Sequence, residues 1–227
     1  MWRAVGVRLF PTLWVLRAIG RLAFPMFAFF IAEGCRYTRN KVRHFLMLFL
    51  FGLVYMAVYF VYDGRLYGNI FITFSMSTLL IYLLQWGKRL IFQEFDVWNC
   101  ILALMSLGAG VIIVYDVTLL LHVEYGFLGV ILPLLISIPV LDDKSVALPL
   151  LQSKTAQDVA RLAFFTVGLL MLCIDANLGA LQYFSLLTVP LLALYNGRVG
   201  VKKLKYFFYV FYPTHLLLIE AIAYLIK

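Results

Sequence analysis

The sequence predicts an all-α membrane protein, a polytopic transmembrane helical bundle of about eight spans. Hydrophobic residues make up 64% of the 227 residues and charged residues only 13%, whereas soluble domains have roughly 45–50% apolar and about 25% charged residues. The apolar runs are continuous, whereas the strands of a membrane barrel alternate between apolar and polar residues. Such a chain has too few polar residues to cover a folded surface in water, so it belongs in a membrane.

Apolar runs of spanning or near-spanning length place eight candidate helices along the chain. They lie near residues 12–32, 44–62, 69–86, 97–115, 126–141, 160–174, 178–195 and 206–226. The fifth and sixth runs are short for a helix that crosses a bilayer. Because no soluble domain or internal repeat interrupts the pattern, we interpret residues 1–227 as one transmembrane domain.

Basic residues alternate between the connections, and this alternation predicts the orientation of the chain. The loops after the first, third, fifth and seventh spans contain most of the Lys and Arg residues, whereas those after the second, fourth and sixth contain only Arg65. Because cytoplasmic loops are enriched in Lys and Arg, the first group is predicted to face the cytoplasm of a multi-pass inner-membrane protein. The net charge of +8 is then explained by orientation, with membrane lipids and no nucleic acid as partners.

Residues 20–40 carry charged groups at both ends of an apolar run. Arg21 precedes the run and Glu33 follows it. Ionisable groups at the edge of hydrocarbon are costly and point to a functional site, although a basic patch after an apolar run also fits an ordinary anchor. The patch that follows contains Arg36, Arg39, Asn40, Lys41 and Arg43.

A second basic patch is predicted on the same side of the membrane, after the seventh span. It contains Asn196, Arg198, Lys202, Lys203 and Lys205. Two such patches could bind a phosphorylated cytosolic ligand such as a nucleotide or coenzyme A. Anchoring to lipid head groups is the commoner use of such patches. The three cysteines are scattered without metal-ligand spacing, so no metal is expected.

Several polar residues inside or beside the spans are candidates for chemistry. His215 falls in the last span, where an imidazole suits a general base or an interhelical hydrogen bond. Asn69 and Glu124 open spans on the outer side, where they could bind an amine or hydroxyl acceptor or cap a helix. His44 is interpreted as an ordinary interfacial residue.

Five sequence strings in a fixed order resemble the TraX family from about Gly6 to the C-terminus. They are GRLAFPMFAFFIAEGCRYTRN, YGNIFITF, EYGFLGVIL, LYNGRVG and KYFFYVFYPTHLLLI. TraX proteins resemble the wider group of integral-membrane acyltransferases, and the family is named for a protein that N-acetylates a conjugative pilin. The resemblance implies transfer of an acyl group, acetyl from acetyl-CoA, to an amine or hydroxyl acceptor such as a pilin N-terminus or a glycan.

The resemblance also implies roles for individual residues. The catalytic candidates are His215, Tyr212, Glu33 and Arg21, with Arg21 and Glu33 expected to form an intramembrane pair. The candidates for binding coenzyme A are Arg36, Arg39, Asn40, Arg43, Asn196, Arg198 and Lys205. The acceptor-side candidates are Asn69 and Glu124.

The front of the chain departs from the family pattern. Similar proteins carry an earlier helix that ends in Asp-His-Ile-Gly, and the Asp and His positions fall here on Arg3 and Ala4. We therefore expect the chain to be N-terminally truncated and to lack the family's first helix, which leaves open whether it is active. A small-molecule transporter or export partner, and a non-catalytic assembly scaffold, are the alternative functions.

Overall fold

A computed structural model of the protein describes residues 14–64, 66–93, 96–140, 153–175 and 179–195. Within these ranges the chain is helical, and no strand occurs. The α-helices are α1 (Trp14–Tyr37), α2 (Lys41–Asp63), α3 (Ile70–Gln93), α4 (Val97–Leu120), α5 (Gly126–Ser137), α6 (Lys154–Ile174) and α7 (Thr188–Ala193). A 3₁₀ helix, Ala180–Leu187, leads directly into α7.

The helical membrane architecture is confirmed, but the number of eight spans is not. In the part of the chain that the structure describes, four segments are long and apolar enough to cross a bilayer: Lys41–Val61, Ile70–Phe92, Val97–Leu120 and Thr155–Ile174. Two apolar helical segments are shorter, Gly126–Ser137 and Leu181–Ala193. The eighth predicted span, 206–226, lies outside the described residues.

Helix α3 is the centre of the bundle. Of the most apolar stretch of α3, 67% is buried inside the protein, whereas only 17% of the equivalent stretch of α4 is buried. Helix α4 therefore presents most of its apolar surface outward. Hydroxyls on α3 donate to backbone carbonyls of the neighbouring segments. Thr73 Oγ1 lies 2.9 Å from the Glu124 carbonyl oxygen, and Ser77 Oγ lies 2.9 Å from that of Val130. These interhelical hydrogen bonds join α3 to α5 and the turn before it.

A lysine of α3 binds the carbonyls at the C-terminal end of the short helix α5. The Lys88 ammonium of α3 donates to the carbonyl oxygens of Ser137, Ile138 and Val140 at 2.7–3.0 Å. A cation here satisfies the carbonyls that the end of a helix leaves without partners. Twelve helical residues span about 18 Å, so α5 alone is too short for the roughly 30 Å hydrocarbon core.

Helices α1 and α2 are joined by a tight turn that carries the first basic patch. Asn40 caps α2, because its side-chain oxygen accepts a hydrogen bond from the Arg43 amide at 2.9 Å. The Thr38 amide donates to the Gly34 carbonyl at 3.0 Å, which ends α1. We call residues 36–43 the basic turn, and the end of the bundle that contains it the basic end.

Candidate functional site

A buried ion pair lies near the basic end, about one turn before α1 ends. Arg161 Nη2, two turns into α6, donates to Oε2 of Glu33. Glu33 is 8% exposed and Arg161 4%. The Arg161 guanidinium also lies over the Phe29 ring, with Cζ 5.0 Å from the ring centroid. Because burial of either charge alone is costly, each member of the pair depends on the other.

The guanidinium has one further contact and one donor without a partner. Nη1 lies 3.7 Å from Oδ1 of Asp158, one turn earlier on α6. Nε is buried and makes no hydrogen bond within the described structure. A buried donor left unpaired costs about 1–3 kcal/mol, so such a group in a folded protein needs an explanation.

The expected pairing of Arg21 with Glu33 is wrong. Twelve positions separate them on one helix, which corresponds to about 18 Å along the axis. Arg21 Nη1 instead donates to Oε1 of Gln182 at 3.3 Å, at the opposite end of α1. The sequence analysis assigned no role to Arg161, which lies at the start of the sixth predicted span, 160–174. The signal for a buried role was its position before a continuous apolar run of α6.

His44 is buried between helices, a contact that the sequence analysis did not predict. Its Nδ1 lies 2.8 Å from the Tyr82 hydroxyl oxygen. One turn earlier on α2, the Lys41 ammonium donates to Gln85 Oε1 at 2.6 Å. Since Tyr82 and Gln85 are also one turn apart, the two contacts form successive cross-links between α2 and α3. The spacing of His44 three residues after Lys41 was visible in the sequence, but the partner helix was not.

Residues 33–35 of α1 face three different helices. Glu33 contacts α6, as described above. A Cβ at Gly34 would lie 3.6 Å from the His44 ring of α2, so the glycine allows close approach of that ring. Cys35 Sγ lies 3.8 Å from Thr78 Oγ1 of α3, and the Cys35 carbonyl accepts from Gln85 Nε2 at 3.3 Å. This segment therefore ties the end of α1 to much of the bundle.

The predicted donor-binding residues of the first patch lie together on the basic turn, directly beyond Glu33. Arg39 and Arg43 are exposed. Arg36 is half-buried, and its guanidinium carbon lies 5.3 Å from the Tyr37 ring centroid. Asn40 is exposed, but its side-chain oxygen already caps α2. The turn thus presents cationic side chains immediately next to a buried ion pair.

Asn69 and Glu124 meet at the end of the bundle opposite the basic turn. Asn69 Oδ1 accepts from the amides of Phe71 and Ile72, and Nδ2 donates to the Gly52 carbonyl at 2.7 Å. This confirms the capping interpretation of Asn69. The Glu124 amide donates to the Gly68 carbonyl at 2.8 Å, which joins the two turns. A role toward an acceptor stays a prediction for both residues.

The remaining predicted site residues lie outside the described residues. They are Asn196, Arg198, Lys205, Tyr212 and His215. The described chain ends at Tyr195, whose ring makes edge contacts with Phe29 and Phe30 of α1 at centroid distances of 5.9 and 5.7 Å. Tyr195 therefore lies close to the Glu33–Arg161 pair, one residue before the predicted second basic patch.

Comparison with known proteins places the chain in a family. It is 26% identical over 222 residues to the "Probable fimbrial assembly protein FimC, serogroup H1" of Dichelobacter nodosus, an alignment that covers 90% of this chain and 81% of that protein. No solved structure matches. A family model described as "TraX protein" matches residues 6–223, so the chain belongs to the TraX family.

Proposed function

We propose that this protein is an inner-membrane acyltransferase that moves an acetyl group from cytosolic acetyl-CoA to an amine or hydroxyl acceptor. The observation that carries the proposal is the buried Glu33–Arg161 pair next to the exposed basic turn. Buried ionisable groups in membrane proteins commonly mark a substrate or proton pathway. Cationic side chains beside such a pair could bind the anionic end of a ligand and leave its reactive end close to the pair.

The basic turn would bind the phosphates of the donor. Arg39 and Arg43 are exposed, and guanidinium groups donate paired hydrogen bonds to phosphate oxygens. Asn196, Arg198 and Lys205 are the sequence-predicted contribution from the second patch. Glu33 lies one turn of α1 before Arg36, so a donor held by the turn would have its nearer atoms beside the ion pair.

The chemistry requires that a proton leave the acceptor. The acceptor nitrogen or oxygen attacks the thioester carbonyl carbon, the carbon–sulfur bond breaks, and the proton passes through an acid–base group to the coenzyme A thiolate. His215 is the sequence-based candidate for that group, with Tyr212 beside it. Glu33, paired with Arg161, would orient the reacting groups.

A protein of the bacterial envelope is the favoured acceptor. The relative from Dichelobacter nodosus is named as a probable fimbrial assembly protein. A fimbrial subunit with a free N-terminal amine would fit both that name and the proposed reaction, and an envelope glycan would fit the reaction equally. Acetylation of either would require an enzyme that joins cytosolic acetyl-CoA to a membrane-associated acceptor.

Membranes that contain the protein should transfer radiolabel from [1-¹⁴C]acetyl-CoA to a fimbrial subunit or to an extractable glycan. The chain should be tested both from Met1 and from any in-frame upstream start, with a strain that lacks the gene as background. Label above that background supports the proposal. Uptake of a solute into proteoliposomes without a covalent product would instead indicate a transporter. Normal fimbriation by a variant that transfers no label would indicate a scaffold.

A further inference from the structure

The end of α1 opposite the basic turn has a buried polar contact that the proposed roles do not yet explain. Arg21 Nη1 donates to Gln182 Oε1 at 3.3 Å. Gln182 lies in the 3₁₀ helix Ala180–Leu187 and is 0% exposed, whereas Arg21 is half-buried. The contact joins residues 161 positions apart in the chain, so the fold specifically brings an arginine and a glutamine together here.

The chemistry of arginine fixes the orientation of the glutamine amide. A guanidinium can only donate hydrogen bonds, so the amide oxygen of Gln182 must be the atom that accepts from Arg21, and the amide nitrogen cannot bond to it. That nitrogen, Nε2, is buried and has no hydrogen-bond partner within the described structure. A buried donor without an acceptor is rare in native proteins, and this one lies beside a second donor that carries positive charge.

The surroundings fix the Gln182 backbone. Cys173 Sγ donates to the Gln182 carbonyl oxygen at 3.5 Å and lies 3.8 Å from Ser185 Oγ. Thr188 Oγ1 donates to the Ser185 carbonyl at 2.6 Å. Among the described residues, Arg21 has no carboxylate within ion-pair distance. Among the described residues, two donors thus lie at this place, and no ion pair to Arg21 is found there.

We propose that Arg21 and Gln182 bind the thioester carbonyl oxygen of the acyl donor and stabilise the oxyanion that forms on it. The proposal rests on the acyltransferase function above. When the acceptor attacks the carbonyl carbon, the carbonyl electron pair moves onto the oxygen, which accepts N–H hydrogen bonds from Gln182 and Arg21. Collapse of this intermediate restores the carbonyl and expels the coenzyme A thiolate, which receives the acceptor's proton. Fixed donors in a buried site are the arrangement that stabilises such an oxyanion.

The separation of the two ends of α1 is consistent with the shape of the donor. Phosphates at the basic turn and a carbonyl near Arg21 would be about 18 Å apart or more along the helix axis, and coenzyme A has a long pantetheine arm between its phosphates and its thioester. Gly20, next to Arg21, is exposed, and no atom lies within 4 Å of the position that a Cβ would take. The acceptor could approach Arg21 on that side.

The decisive variant is Gln182→Glu. Glutamate keeps an oxygen toward Arg21 and adds an ion pair, so the thermal stability of the purified protein should be equal or higher. It removes the N–H donor and places a negative charge where the oxyanion forms. Loss of one oxyanion donor lowers kcat by about 10²–10³-fold, and we expect a loss of this size with the KM for acetyl-CoA nearly unchanged.

Two further variants separate chemistry from packing. Gln182→Met removes the donor without adding charge and should lower kcat to a similar extent. Ser75→Ala is the control, since it changes another fully buried polar residue, one on α3 that bonds the Ile72 carbonyl, and it should retain the wild-type rate. Rates are measured as transfer from [1-¹⁴C]acetyl-CoA by the full chain in membranes, normalised to the amount of folded protein.

The outcomes distinguish the site from the function. Wild-type kcat in Gln182→Glu, or an equal loss in Ser75→Ala, would overturn the oxyanion site while leaving the acyltransferase function intact. A raised KM for the acceptor at unchanged kcat would also overturn it, and would indicate that Arg21 and Gln182 bind a carboxylate of the acceptor. No acetyl transfer by the wild-type protein would overturn the proposed function itself.

Discussion

The two ends of α1 are built on the same plan but differ in charge balance. Each carries a polar contact to an element far along the chain, Glu33 to Arg161 and Arg21 to Gln182, and each leaves one buried N–H donor unpaired. At the basic end the charges cancel, since a carboxylate meets a guanidinium. At the other end, among the described residues, a guanidinium meets only a neutral amide oxygen. The first arrangement is suited to anchoring the helix, and the second is suited to receiving negative charge from a ligand.

The largest effect that this comparison predicts is on stability at the basic end. Arg161→Ala leaves the Glu33 carboxylate buried without its partner, which costs about 3–5 kcal/mol when one member of a buried pair is removed. Thermal unfolding of the detergent-solubilised protein, or the yield of folded protein in membranes, measures the loss.

The matched control for Arg161→Ala is the double variant Glu33→Leu with Arg161→Leu. It removes both charges, so it should be clearly more stable than the single variant. If the double variant is at least as unstable as Arg161→Ala, the cost does not come from an uncompensated charge, and the pair is not the anchor that we describe.

The sequence predicts the local features of this protein better than it predicts contacts between distant parts of the chain. The first seven predicted spans each overlap a helix, because a spanning run of apolar residues reads directly as a helix in a membrane. The cap formed by Asn69 was also open to prediction, since the capping side chain and its backbone partners are two or three residues apart.

The partners of the charged residues could not be predicted in the same way. Glu33 and Arg161 are 128 positions apart, and nothing in the pattern of apolar residues states which faces of two helices meet. The burial of His44 has the same explanation, because it depends on Tyr82 of the next helix and on the absence of a side chain at Gly34. An arginine at the start of a predicted span can thus become a buried partner of a distant helix.

The second prediction concerns stability at the other end of α1. Arg21→Gln removes a single 3.3 Å hydrogen bond to a neutral oxygen, so we expect a loss of only about 1–2 kcal/mol. The same thermal measurement applies. A loss as large as that of Arg161→Ala would mean that the two ends do not differ in their contribution to stability, and the contrast drawn above would fail.

The third prediction separates the two ends by kinetics. The double variant Arg39→Gln with Arg43→Gln removes exposed cations from the basic turn. It should raise the KM for acetyl-CoA by roughly tenfold, which corresponds to the free energy of about one charge-assisted hydrogen bond. The kcat should change little. Arg89→Gln, an exposed arginine near the end of α3, is the control. A fall in kcat without a change in KM would assign chemistry, not donor binding, to the turn.

The smallest expected effect tests how closely His44 approaches α1. A Cβ at Gly34 would lie 3.6 Å from the His44 ring, an ordinary contact distance, whereas at Gly52 it would lie 2.6 Å from Ile72 Cδ1. Gly34→Ala should therefore change the unfolding free energy by less than about 1 kcal/mol, because replacing glycine within a helix by alanine is itself favourable. Gly52→Ala should destabilise by about 1–3 kcal/mol through overpacking. Equal losses in the two variants would show that the basic end is packed as tightly as the middle of α2, and that His44 has no room to move beside Gly34.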